Sequence, residues 1–161
     1  MSDADLAAAI ASECGRLGLD VPPAAAERLA AFAARLWAWN ERLNLTRHTD
    51  AAVFVARDVA DALALVPHLA AGERVLDVGT GGGVPGVLLA VLRPDLQVEL
   101  SESVGKRAQA VQAIVAEAGL RLPVHAGAAQ TLVAARGSGP RACRTARPRS
   151  RGRAGTAACC S

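Results

Sequence analysis

Apolar residues recur at helical spacing through the first 67 residues. Leu6, Ile10 and Leu17 fall along a segment that opens at Ser2, whose hydroxyl can cap a helix together with Asp5. Gly18 and the Pro22–Pro23 pair interrupt the pattern, and proline suits the first turn of a second helix. In that helix Leu29, Phe32, Leu36, Trp39 and Leu43 follow at alternating intervals of three and four, which sets all five on one face. Asp50 can cap a third helix, with Val53, Val59, Leu63 and Val66 as its apolar positions and Pro67 as its stop. The pattern predicts a small helical region over 1–67.

The period then changes. Arg74 to Val78 is a short apolar run leading into a glycine cluster, and Val87 to Leu92 reads as a helix that ends before the Pro94–Asp95 turn. Leu96 to Leu100 alternates as a strand, Val104 to Ala118 is helical with Gly119 as its stop, and Leu122 to His125 is a third strand. Strand, helix, strand, helix, strand at this spacing predicts an α/β fold. Its parallel sheet would have right-handed crossovers and form a partial Rossmann-like domain over 68–135. After about Gln130 the signals stop. Residues 136–161 are rich in arginine, glycine, proline and serine, and two readings stay open: a disordered basic tail that binds nucleic acid, or GC-rich DNA translated out of frame.

Composition sharpens this division. Just over half the residues are apolar, but alanine supplies much of that share and aromatics only 2%, so the buried volume per residue is small. The net charge of +3 belongs to the tail: residues 136–161 hold seven of the 18 basic residues and no acid, which leaves residues 1–135 at −4. No apolar run approaches the roughly 18 residues that span a bilayer, and the acidic start argues against a secretory signal, so a cytoplasmic protein is expected. Cys14 reads as a small core residue, and Cys143, Cys159 and Cys160 lie in the tail. Without a CxxC pair, and with His48, His68 and His125 scattered, neither a zinc site nor a disulfide framework is predicted.

The chemistry concentrates in VLDVGTGGGVPG, Val75 to Gly86. Gly79, Gly81 and Gly83 follow a strand end at alternate positions, where glycine lets the chain turn and a ligand approach. A helix beginning near Pro85 would point its first amides at that ligand, as doubly wound sheets do for nucleotides. Gly81, Gly83 and Gly86 also satisfy GxGxxG, so a dinucleotide stays possible, as does a plain glycine-rich turn. Asp77 two residues before the first glycine, with the glycine run starting directly at the strand end, favours S-adenosylmethionine. Glu102, at the end of the next strand, is placed to accept hydrogen bonds from ribose hydroxyls of either cofactor.

Three segments in order carry a resemblance: WNERLNLTR (Trp39 to Arg47), LDVGTGGGVPG (Leu76 to Gly86) and RPDLQVELSESVGKR (Arg93 to Arg107). The resemblance they carry covers about residues 35–130. The chain resembles the bacterial 16S ribosomal RNA guanine-N7 methyltransferases, also called the glucose-inhibited division protein B family. That resemblance implies transfer of a methyl group from S-adenosylmethionine to N7 of guanine 527 in 16S ribosomal RNA, in the small ribosomal subunit, by a protein expected to be a monomer. It implies Asp77, Gly79, Gly81, Gly83, Val84, Glu102, Ala129 and Gln130 at the cofactor, with Lys106 and Arg107 toward RNA. Guanine N7 carries an in-plane lone pair, so no catalytic base is expected. Trp39 is expected in the core, Asn40 and Asn44 bracing the turn after the helix, and His48 and His68 as structural or surface residues.

Several positions depart from the family pattern. RDVADALAL, Arg57 to Leu65, has Asp58 and Ala62 where the family usually has histidine and serine. GAAQ, Gly127 to Gln130, stands where the family tends to have GRAE. A later family arginine is matched only loosely by Arg144 or Arg147. The family sheet has seven strands and three are legible here, so the chain is expected to be cut short, and unstable or inactive. Two further readings stand beside this one: a remnant that binds cofactor or RNA, and an NAD-dependent oxidoreductase.

Overall fold

The computed structural model describes residues 1–134 and 141–144. Helix α1 (Asp3–Arg16) opens as the pattern predicts: the Asp5 amide donates to Ser2 Oγ at 3.2 Å, and the Ser2 amide donates back to Asp5 Oδ2 at 3.1 Å. Leu6, Ile10 and Cys14 are buried on its inner face, while Leu17, just past its end, is largely exposed. Helix α2 (Pro23–Leu43) begins at the expected proline and packs along α1. Leu29, Phe32 and Leu36 are fully buried, with Ala26, Ala30 and Ala33 letting the helices approach. Toward its end the stripe reaches the edge of the core. Trp39 is half-buried, not central, and its Nε1 donates to Glu117 at 3.4 Å.

The predicted third helix changes geometry along its length. It runs as α3 (Ala51–Val53), a π-helical stretch (Phe54–Val59), α4 (Ala60–Leu65) and a 3₁₀ turn (Val66–His68). Asp50 caps it as expected, accepting from the Val53 amide at 2.8 Å. The buried face differs from the predicted one: Phe54, Val55, Asp58, Val59 and Ala62 point inward and Val53 is exposed. A π turn is wider than an α turn, so it shifts which residues face inward, and a single 3.6-residue period cannot follow the change.

The sheet is parallel, in the order β3-β2-β1-β4, with β1 (Arg74–Val78), β2 (Gln97–Glu102), β3 (Val124–Ala126) and β4 (Arg141–Arg144). Helices α5 (Gly86–Leu92) and α6 (Gly105–Glu117) connect the first three strands. The register sets Asp77 beside Leu100 and Leu100 beside Val124. Val75, Val98 and Leu100 join Val87, Leu88, Val111 and Ile114 in one core with Leu29, Phe32 and Leu36. The helical region thus shares its core with the sheet. Both α5 and α6 pack against α2.

Three strands were expected and four are present among the described residues. Within 136–161 the aperiodic reading is corrected at Arg141–Arg144, which pairs with β1 from Val75↔Arg141 to Val78↔Arg144. Four residues with arginine at both ends show no alternation, and a parallel ladder draws on main-chain groups that the side-chain pattern does not reveal. The readings of the remaining tail, and Arg147 with them, lie outside the described residues. Short helix α7 (Ala129–Ala134) follows β3. Among the described residues, no helix is long and apolar enough to cross a membrane.

Candidate cofactor site

Three connections meet at the carboxyl ends of β1, β2 and β3. In this strand order the direction of the sheet's growth reverses between β1 and β4, and the loop after β1 sits at that switch point. Asp77, next to last in β1, is fully buried. Its Oδ2 accepts from Thr80 Oγ1 at 2.7 Å and from the Gly86 amide at 3.0 Å. The carboxylate therefore ties the two ends of the loop together. Burial pushes its pKa up to about 6; the bonds from Thr80 and Gly86 work against that rise, and the charge of Glu102 adds to it.

The near half of the loop hangs from β2. The Gly79 and Thr80 amides both donate to the Ser101 carbonyl, at 2.8 and 3.1 Å. Gly81 donates to Glu102 Oε2 at 3.0 Å, while Glu102 Oε1 accepts from the Val104 amide at 2.9 Å. Glu102 is itself buried. The far half belongs to α5. Gly83 donates to the Thr80 carbonyl, Val87 to the Gly83 carbonyl, and Gly86 to Asp77. This corrects one expectation: the leading amides of α5, on Gly86 and Val87, are taken by the loop itself and do not face a ligand.

The third connection docks on the second. The Gly127 amide donates to the Glu102 carbonyl at 3.0 Å, and Ser101 Oγ donates to the Gly127 carbonyl at 3.3 Å. Ala129, buried at the start of α7, and exposed Gln130 follow directly. Val84, half-buried, precedes a cis peptide to Pro85. Lys106 is exposed and Arg107 half-buried in the first turn of α6, at the same end of the sheet.

The residues present fit a cationic adenosyl ligand on two observations. Asp77 Oδ1 is a buried oxygen without a hydrogen bond among the described residues, an acceptor set beside the loop. Gly79 has φ +71°, and a Cβ placed on it would meet nothing within 4 Å, so the main chain is open to an incoming group there.

The sequence model of the family described as GidB, rRNA small subunit methyltransferase G, matches residues 25–134. Among curated proteins, the ribosomal RNA small subunit methyltransferase G of Rhodopirellula baltica is 46% identical over 73% of this chain and 51% of its own length. That of an Anaeromyxobacter species is 44% identical over 74% of this chain and 54% of its own length. That of Chromobacterium violaceum is 43% identical over 65% of this chain and 50% of its own length. The chain belongs to the rRNA small subunit methyltransferase G family. It spans about half the length of the curated relatives it matches.

The loop also uses residues that the pattern did not single out. Thr80 and the Ser101 carbonyl hold the loop as firmly as the glycines shape it. Gly82 lies against Leu36 and Leu45, so the segment after α2 forms one wall of the loop. His48, read as a structural or surface residue, has its Nδ1 2.9 Å from Asp58, one of the positions where this chain departs from the family pattern. Asn40 and Asn44 do brace the turn: Asn40 Oδ1 accepts from the Thr46 amide at 2.8 Å, and Asn44 ends α2 in the left-handed region.

Proposed function

We propose that this chain binds S-adenosylmethionine along Gly79, Gly81 and Gly83 and serves methyl transfer to N7 of a guanine in 16S ribosomal RNA of the small ribosomal subunit. The observation that carries this reading is the carboxylate of Glu102 reaching from β2 to the Gly81 amide at the sheet's switch point. An acid held there can accept from a ribose hydroxyl on the lone pairs that Gly81 and Val104 leave free. Asp77, with its second oxygen unsatisfied, meets the cationic methionine end. Val84 packs on the ligand, and the main chain of Ala129 and Gln130 flanks the adenine.

S-adenosylmethionine supplies an activated methyl group on a sulfonium leaving group. Because guanine N7 attacks with an in-plane lone pair, the chain's own contribution is alignment and a dry, negatively biased pocket, without a proton to remove. Lys106 and Arg107, at the same end of the sheet, contact RNA phosphate. This work is that of a cytoplasmic monomer.

Calorimetry with S-adenosylhomocysteine and, separately, with NADH tests the cofactor. Heat of binding is expected with the first and none with the second; the reverse result sinks the reading in favour of an oxidoreductase. Incubation with 30S subunits and methyl-labelled cofactor tests the reaction. Where the half-length chain is active, label falls on N7 of one guanine, and label on another atom counts against the substrate.

A further inference from the structure

The connection between α2 and α3, residues 44–50, lies against the glycine loop. Leu45 is buried there, and a Cβ built on Gly82 would come within 3.3 Å of its carbonyl oxygen. Four hydrogen-bonded contacts fix the course of this connection. Asn40 Oδ1 accepts from the Thr46 amide, the His48 amide donates to Thr46 Oγ1 at 3.0 Å, and Trp37 Nε1 donates to the His48 carbonyl at 2.7 Å. The fourth is the His48 ring, whose Nδ1 lies 2.9 Å from both carboxylate oxygens of Asp58. The first three hold the connection to itself and to α2. The fourth ties it to the element that follows.

Asp58 occupies a costly place. The π-helical stretch turns it inward among Phe54, Val55 and Val59, where burial raises its pKa and the bond to His48 opposes the rise. Asp61 is the other charge that acts on it. A half-buried acid–imidazole pair adds little net stability over apolar side chains of the same volume; the best-attested use of such pairs is to fix register. π-Bulges, in turn, are frequent where a side chain must be aimed at a functional site.

We propose that His48 and Asp58 are a positioning pair that sets residues 44–48 against Gly82 and so shapes the cofactor side of the glycine loop. The inference rests on reading that loop as the S-adenosylmethionine site. Its path is continuous: Asp58 holds His48, His48 and Asn40 hold Thr46, and Leu45 backs Gly82. On either side of Gly82, the Gly81 amide bonds Glu102 and the Gly83 amide bonds the Thr80 carbonyl. Losing the pair leaves the loop its own hydrogen bonds and the core its apolar contacts. The fold persists while the wall behind Gly82 loosens.

The test compares the full chain with Asp58→Ala and with the exchanged pair His48→Asp/Asp58→His, by calorimetry with S-adenosylhomocysteine and by amide NMR spectra of the free proteins. Asp58→Ala is expected to weaken binding about tenfold, within the range by which residues that touch no ligand modulate a distant site, and to move the Leu45 and Gly82 amides. The exchanged pair recovers most of both changes, which a merely structural loss would not allow. Should Asp58→Ala fail to fold, Asp58→Leu, which fills the same space without an acceptor, replaces it with the same expectation. Equal affinity in Asp58→Ala and the unaltered chain, or an exchanged pair as weak as the single variant, overturns the proposal. If the unaltered chain binds no S-adenosylhomocysteine, the cofactor reading alone has failed and the free-protein spectra decide. Leu45 and Gly82 amides unmoved by Asp58→Ala then overturn the positioning pair, and amides moved by it and restored by the exchange uphold it.

Discussion

Gly79 and Gly86 stand at the two ends of one loop and are glycine for opposite reasons. Gly79 takes a left-handed backbone and faces open space, so its missing side chain gives conformational freedom and access. At Gly86 the chain begins α5 against the sheet, and a Cβ would fall 2.3 Å from Leu100 Cδ2 and 2.9 Å from Asp77 Cβ. There the missing side chain gives close packing of helix on strand. A glycine motif therefore mixes positions that face open space with positions that meet the core, and spacing alone does not separate them. Gly83 sits between: its φ is +93°, yet a Cβ there would press on Phe32 and Val87.

The comparison can be broken first at its packed end. Gly86→Ala is expected to cost roughly 3 kcal/mol, since overpacking strikes backbone-anchored atoms of Asp77 as well as Leu100; chemical denaturation measures it, and a loss below that of Gly79→Ala would refute the distinction. Asp77, which joins both ends, gives the next effect through pH. Its pKa is raised to about 6 in the fold, against an ordinary value of 3.8, so its contribution to stability is fully present below the ordinary value and is lost as pH rises through about 6. Between about pH 7 and pH 4 the unaltered chain should therefore gain on the order of 3 kcal/mol relative to Asp77→Asn. Parallel stability curves for the two proteins would count against a buried, strained carboxylate.

At the open end, Gly79→Ala is expected to cost only about 1–2 kcal/mol for the left-handed backbone, yet to lower the affinity for S-adenosylhomocysteine by more than Gly86→Ala does in whatever fraction folds. Gly79→Asn, which accepts that backbone more readily, should recover stability before it recovers binding. The smallest effect on the fold lies outside the loop. Lys106→Ala should change stability by less than about 0.5 kcal/mol, while lowering the salt dependence of RNA binding by close to one counterion. A salt slope that stays put would remove Lys106 from the RNA-facing surface.

Much of this was legible in the sequence where one period ruled one element. The Ser2–Asp5 cap, the α2 stripe at Leu29, Phe32 and Leu36, strand β1 and the end of α6 before Gly119 all follow local rules. The run from Val53 to Val66 did not, because the period itself changes when the π turn begins at Phe54. Strand β4 was missed since its pairing is a main-chain matter. In the site, Asp77 and Glu102 could be named from their place at strand ends, but the bond of Gly86 to Asp77 depends on how the loop folds back, and that of Gly81 to Glu102 on the register of β1 against β2. Contacts between distant segments, such as Leu45 with Gly82 or His48 with Asp58, leave no periodic trace.

The sequence holds two tryptophans, Trp37 and Trp39, and no tyrosine, and both indoles stand on the last turns of α2. Trp37 donates to the His48 carbonyl and meets Phe54 edge-on at 6.1 Å, while Trp39 has the Arg42 guanidinium 6.0 Å from its ring. The intrinsic emission of the chain consequently originates within one patch, next to the segment that backs Gly82. Emission wavelength and quenching by iodide can follow events at the glycine loop without any label, and Trp39→Phe would leave Trp37 as a single native reporter.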